Sequence, residues 1–111
     1  LVVHHTNDLA GLSVADTKCV FQQACGLISG HGGQLTNMIY MPENSFVTEI
    51  IAREQRGRVY IGMAQKLGLS YANTEEYTLR QNVHSHYSNV TISKVHSVAE
   101  AIISMARKHC R

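Results

Sequence analysis

The chain has 111 residues, which suit one domain with a single hydrophobic core and are too few for two domains of ordinary size. Its apolar fraction of 44% and its single proline are typical of a folded globular chain. Ten Lys and Arg are scattered among eight Asp and Glu, a pattern that argues against a nucleic-acid-binding surface. No apolar stretch approaches the roughly 20 residues of a membrane-spanning helix, so we expect no membrane contact from this segment. Because residue 1 is Leu in an apolar run without a signal peptide, we expect a longer protein around it.

The first elements are predicted from short-range patterns. Residues 1 to 5 read as a short strand, and residues 7 to 12 as a polar turn. A helix is predicted to begin near Ser13, with Gly26 as its C-terminal cap. Its apolar positions recur at helical spacing, so one face should point inward: Val14, Val20, Phe21, Ala24 and Cys25.

The next three elements form the centre of the chain. Residues 27 to 29 are apolar and short, as is typical of a buried strand in a parallel sheet. Residues 34 to 41 predict a helix of about two turns, because Leu35, Met38 and Ile39 are spaced i, i+3 and i+4. Pro42 ends it, and residues 46 to 51 return to β-forming side chains.

A second helix and strand follow a charged loop. Apolar residues recur at helical spacing from residue 59 to residue 67, and Gly68 is placed to end that helix. Residues 69 to 72 then predict another strand.

The last third of the sequence has weaker signals. Residues 73 to 88 are polar and are interpreted as a loop, and residues 89 to 92 as a short strand. Ser97 and Glu100 form a capping box for a final helix. Strands that alternate with helices in this order indicate βαβ units, so the predicted fold is a Rossmann-like α/β domain, a parallel sheet with helices on both faces.

Cysteines and histidines do not predict a metal centre. Cys19 and Cys25 lie in or beside the first predicted helix, where small buried thiols are common, and Cys110 could pair with a cysteine outside the chain. None of the three has the spacing of a zinc site. We interpret two histidine pairs as surface residues rather than metal ligands: His4 with His5, and His84 with His86.

A glycine-rich turn is the strongest functional signal. Residues 29 to 33 read Ser-Gly-His-Gly-Gly and connect the end of a predicted strand to the start of a helix at Gln34. Glycines let the backbone approach a ligand, and free N–H groups at a helix start attract anions, so a phosphate or diphosphate is the expected ligand. His31 could donate to that anion, or it could simply end a strand. The pattern matches neither G-x-G-x-x-G nor the P-loop, so it predicts an anion-binding turn and nothing narrower.

The string HGGQLTNMIYMPENSFVTEI, residues 31 to 50, resembles the signature of glycosyltransferase family 61. That signature has the form H-G-A-x-L-T-N, followed by an apolar stretch, a proline and a terminal Glu. The resemblance covers most of residues 11 to 72. Gly33 stands where Ala is commoner, and Gln34 where many members have Gly; neither change should prevent backbone contact with phosphate.

The resemblance implies one lobe of a two-lobed GT-B enzyme. Residues 1 to 111 would be the C-terminal nucleotide-sugar-binding lobe, and the acceptor lobe would lie outside this chain. Such enzymes transfer N-acetylglucosamine, xylose or arabinose from a UDP-sugar donor to a glycoprotein or polysaccharide, with inversion, in the endoplasmic reticulum or Golgi lumen. The sequon at Asn89 is compatible with that compartment. The sequence has no DxD pair for a metal, so we expect no cofactor or metal bound in this lobe, with divalent metal dependence of the whole enzyme left open.

The expected catalytic base is a separate matter. Asp8 lies near the end of the first predicted strand and His31 lies near the donor, but we expect the base and the acceptor site to come from the other lobe. This chain alone should therefore bind UDP weakly and transfer nothing.

Seven residues are the expected donor-binding set: His31, Gly32, Gly33, Gln34, Thr36, Asn37 and Glu49. The main chain of residues 32 to 34 would donate to the diphosphate, with His31 beside it. Thr36 and Asn37 would add side-chain donors or else face solvent.

Glu49 and the overall function each have an alternative. Glu49 ends a predicted strand, where it would accept from ribose hydroxyls or pair with Arg53 or Arg56. The alternative function is a non-catalytic Rossmann-like module that binds a nucleotide, or a partner through residues 73 to 88. An interaction protein without any ligand would leave the glycine turn unexplained.

Overall fold

The computed structural model describes residues 3–4, 9–50, 59–73, 80–81, 88–89 and 92–110. Its elements in chain order are helix α1 (Val14–Gln22), strand β1 (Gly26–Gly30), a 3₁₀ helix (Gly33–Tyr40), β2 (Phe46–Ile50), α2 (Val59–Lys66), β3 (Ser70–Asn73), β4 (Arg80–Gln81), β5 (Ser88–Asn89) and α3 (Ile92–His109). No helix among these residues is long and apolar enough to cross a bilayer.

Strands β1, β2 and β3 form a parallel sheet in that order. Gly26 pairs with Phe46 at the start of the ladder, and Phe46 in turn pairs with Ser70. The predicted α/β domain with a parallel sheet is therefore confirmed, and β2 is its central strand. The predicted loop over residues 73 to 88 needs correction at its described positions, because residue 73 ends β3 and β4 pairs antiparallel with β5.

Both faces of the sheet are covered. Phe46, Val47, Thr48 and Glu49 are all buried, although successive side chains of a strand point to opposite faces. On one face Val47 belongs to a core that includes residues of α1, the 3₁₀ helix and α2: Phe21, Leu35, Met38 and Ala64. On the other face the ring of Phe46 lies 5.8 Å from that of His109 at the end of α3.

Helix α1 begins as the sequence predicts and ends earlier. The Ser13 Oγ accepts from the backbone N–H of Asp16 at 3.1 Å, which caps the helix start. The predicted C-terminal cap at Gly26 is wrong, because Gln23 caps the helix and Gly26 opens β1. A Cβ at Gly26 would overlap the ring of Phe46, so this glycine is required by packing.

The predicted helix over residues 34 to 41 is a 3₁₀ helix with a different inward face. Leu35 and Met38 are both fully buried, as expected for residues three apart in a helix with three residues per turn. Ile39, expected on the same face from α-helical spacing, is 49% exposed. The N–H of Met41 bonds back to the carbonyl of Met38 at 3.1 Å, just before Pro42.

The later boundaries are confirmed at α2 and corrected at α3. Gly68 has a φ of +71° after the end of α2, as a helix-ending glycine should. Helix α3 begins at Ile92, so Ser97 and Glu100 lie inside it and form no capping box. For the same reason residues 89 to 92 are not one strand.

Several residues of the N-terminal predictions lie outside the part of the chain that the structure describes. Residues 3 and 4 are not in a strand, and residues 1, 2 and 5 lie outside the described part. In the predicted turn over residues 7 to 12, the N–H of Leu12 donates to the carbonyl of Leu9 at 3.2 Å, and Gly11 has a φ of +82°.

A disulfide links the start of the sheet to the end of the chain. Cys25 and Cys110 are bonded at 2.04 Å across a separation of 85 residues. The expectations of a buried thiol at Cys25 and an external partner for Cys110 are therefore wrong, because the two residues meet only when α3 packs on the sheet. Cys19 is free and exposed rather than buried.

Candidate functional site

The site lies at the carboxyl edge of the parallel sheet. The N–H of His31 donates to the carbonyl of Ile50 at 3.0 Å, which extends the pairing of β1 and β2 by one residue. The chain then leaves the sheet at Gly32, whose φ of +153° and ψ of −175° are essentially restricted to glycine. The glycine turn therefore has a backbone reason for its composition, and it places the start of the 3₁₀ helix at the sheet edge.

The backbone amides of this turn are open. Gly32 caps the 3₁₀ helix without a side-chain hydrogen bond, and the first turn contains no acidic residue. The first helical bond runs from the N–H of Leu35 to the carbonyl of Gly32 at 3.1 Å. Among the hydrogen bonds of the described residues, none uses the N–H of Gly33 or Gln34. A Cβ built at Gly33 has no atom of the described residues within 4 Å, so these residues leave space beside the donors.

A buried carboxylate lies behind the turn. Glu49 is on the central strand and has an exposed fraction of 0%. Its Oε1 accepts from His31 Nδ1 at 2.5 Å, and its Oε2 accepts from the hydroxyl of Tyr71 at 2.5 Å. The parallel register brings these residues together, because Glu49 lies near the end of β2 between the ends of β1 and β3. Burial of the carboxylate is thus compensated by a donor on each oxygen.

These contacts fix the orientation of His31. A carboxylate oxygen only accepts, so the bonded Nδ1 carries a hydrogen and Nε2 lies on the far side of the ring. The ring also makes an edge contact with Tyr60, with centroids 5.4 Å apart at 73°. The side chain is 29% exposed, and Nε2 has no hydrogen-bond partner among the described residues. One imidazole nitrogen is therefore held by the protein while the other remains open.

Thr36 and Asn37 use their donors inside the helix. The Thr36 hydroxyl donates to the carbonyl of Gly33 at 2.6 Å, and the Asn37 amide donates to the carbonyl of Gln34 at 3.1 Å. These are local side-chain bonds typical of a helix start. A ligand would need to displace them before either side chain could donate to it.

The described residues bear on only one of the two roles expected of Glu49. Its two oxygens accept from His31 and Tyr71 and the side chain is fully buried, so a ribose hydroxyl would reach it only if its surroundings opened. Arg53 and Arg56, the alternative partners, lie outside the described residues. Tyr71 was not identified as a site residue from the sequence. Its position in the next predicted strand after the one that contains Glu49 could have indicated it.

Metal ligation has no support from the described part of the chain, where no three His, Cys, Asp or Glu residues are grouped to hold an ion. His4 is exposed, and His5, His84 and His86 lie outside the description.

No protein-family model, curated protein or solved structure matches the chain.

Proposed function

We propose that the chain is the nucleotide-sugar-binding lobe of an inverting glycosyltransferase, which transfers a sugar from a UDP donor to a glycoprotein or polysaccharide acceptor. The observation that supports this most is the pair of open amides at Gly33 and Gln34, at the carboxyl edge of a parallel sheet. Ligands of such folds bind beyond the carboxyl ends of the strands. The family resemblance of residues 31 to 50 supplies the reaction class.

The proposed reaction is a single displacement at the anomeric carbon. The acceptor oxygen forms its bond to that carbon while the bond to the β-phosphate oxygen of UDP breaks, and the bonding electrons leave with UDP. The acceptor proton passes to a base, which the proposal assigns to a second lobe. Because one displacement occurs, the configuration at the anomeric carbon inverts.

The glycine turn suits the departing diphosphate. Negative charge grows on the leaving group during bond cleavage, so donors already in place stabilise the transition state more than the ground state. A helix start contributes about 0.3 to 2 kcal/mol toward a nearby negative charge. No acidic side chain in the first turn opposes this effect.

The disulfide supports the proposed location in the lumen of the endoplasmic reticulum or Golgi. Bonds such as Cys25–Cys110 form and persist in oxidising compartments and are rare in the cytosol. The disulfide and the family resemblance therefore favour the same compartment.

Thermal unfolding with and without UDP tests the proposal. UDP should raise the melting temperature of the chain, and Gly33→Val should abolish the rise, because the new side chain enters the space beside the open amides. Gly62→Val in α2 is the matched control, since a Cβ there also has no described atom within 4 Å and lies outside the turn.

Three outcomes decide the matter. A rise that is lost only in Gly33→Val supports the donor site. A rise that survives in Gly33→Val places the nucleotide elsewhere and contradicts the role of the turn. No rise with UDP, ADP or GDP removes the donor-lobe proposal.

A further inference from the structure

If the proposed function holds, the position of His31 places it on one side of the anomeric carbon of the bound nucleotide-sugar. Its backbone lies two residues before Gly33, the first of the open amides, where the diphosphate is proposed to bind. In an inverting displacement the attacking and leaving oxygens are on opposite sides of the anomeric carbon. A residue that contacts the diphosphate is therefore on the leaving side, opposite the attacking acceptor oxygen.

On the leaving side, His31 must donate rather than accept. Diphosphate oxygens offer only lone pairs, whereas the neutral form of His31 with a hydrogen on Nδ1 has a lone pair on Nε2. Two lone pairs repel, so the neutral ring fits this ligand poorly. A ring that carries hydrogens on both nitrogens would donate to Glu49 through Nδ1 and to the diphosphate through Nε2.

We propose that His31 takes up a proton from solvent when the diphosphate binds, and that Glu49 and Tyr71 are positioning residues that hold the resulting imidazolium. The carboxylate of Glu49 is fully buried and bonded to Nδ1, so it compensates the positive charge on one side. The diphosphate compensates it on the other. The Tyr71 hydroxyl fixes the second carboxylate oxygen and so sets the direction of the first.

The other described groups around the ring do not compete for this proton. Tyr60 contacts the ring by its edge, and the first turn of the 3₁₀ helix has no acidic residue. Within the described part of the chain, Glu49 is thus the carboxylate that faces His31.

Calorimetric titration with UDP-glucose tests the inference, because the diphosphate diester of this probe has no group that titrates near neutral pH. Titrations in buffers of different ionisation enthalpy give the number of protons taken up on binding. At slightly alkaline pH we expect net proton uptake by the unchanged chain. His31→Gln should abolish the uptake and weaken binding about tenfold or more, as for the loss of a hydrogen bond to a charged group.

Variants of Glu49 and Tyr71 distinguish a role in positioning His31 from a role in the stability of the fold alone. Glu49→Gln should reduce both proton uptake and affinity, because the amide still accepts from Nδ1 but has no charge. Tyr71→Phe should reduce affinity less and leave proton uptake in place. Glu43→Gln on an exposed turn and Tyr40→Phe in the 3₁₀ helix are the matched controls, and both should behave like the unchanged chain.

Imidazole ¹⁵N resonances of the unchanged chain provide a second readout that needs no variant. The proposal expects hydrogens on both nitrogens of His31 in the complex. Binding of UDP-glucose without proton uptake, with Nε2 unprotonated, overturns the inference and leaves the proposed function standing. Absence of binding overturns both.

Discussion

Removal of the Cys25–Cys110 disulfide should destabilise the fold strongly. The bond closes a loop across 85 residues, about three quarters of the chain. In the chain-entropy description of a crosslink, a loop of this length contributes roughly 4.5 kcal/mol to the free energy of unfolding. Small domains have a total of about 5 to 15 kcal/mol, so the double variant Cys25→Ser/Cys110→Ser should lose a large part of its stability.

Urea unfolding followed by circular dichroism measures this loss. The double variant should unfold at a much lower urea concentration than the unchanged chain, and a reductant should bring the unchanged chain close to it. Cys19→Ser is the matched control, because Cys19 is free and exposed, and its effect should be within about 0.5 kcal/mol. The reasoning is refuted if the double variant and Cys19→Ser have the same urea midpoint. It is also refuted if all three cysteines react as free thiols in the native chain without reductant.

Two glycine substitutions test the backbone and packing arguments by the same urea assay. Gly26→Ala should lower the free energy of unfolding by about 1 to 3 kcal/mol, since the added methyl overlaps the ring of Phe46; an unchanged midpoint would mean that the ring moves freely. Gly68→Ala should cost about 1 to 2 kcal/mol because its φ is +71°. Gly62→Ala, inside α2, should instead be neutral or stabilising by up to about 1 kcal/mol. Equal changes in the free energy of unfolding for Gly68→Ala and Gly62→Ala would contradict the role of the positive φ at Gly68.

The parallel sheet could be predicted because its signals are local. Each strand of the three is a short run of apolar or β-forming residues, and the stretch between successive strands has the spacing of a helix. The predicted strands over residues 27 to 29 and 46 to 51 lie within one residue of β1 and β2 at each described end. The handedness and adjacency of βαβ connections then leave few ways to arrange them.

Helix type could not be predicted from the same spacing. Leu35 and Met38 suit both an α-helix and a 3₁₀ helix, because residues three apart share a face in either. The exposure of Ile39 and the bonds from the N–H groups of Leu35 and Met41 to carbonyls three residues earlier distinguish the two geometries, and both become visible only in the folded chain.

Long-range contacts account for the remaining differences. The spacing of Cys25 and Cys110 matches no short motif, so their bond becomes visible only in the folded chain. The bonds of Glu49 to His31 and Tyr71 also join residues 18 and 22 positions apart across the sheet. The sequence placed the glycine turn and Glu49 in one donor-binding set, but did not predict that Glu49 supports His31.

Amide resonances of the ¹⁵N-labelled chain during titration with UDP test the anion-binding turn most directly. We expect the N–H signals of Gly33 and Gln34 to shift progressively and to saturate at millimolar UDP, while that of Gly62 stays in place. If UDP leaves the Gly33 and Gln34 signals unchanged, or shifts only signals remote from the turn, the turn does not bind the diphosphate.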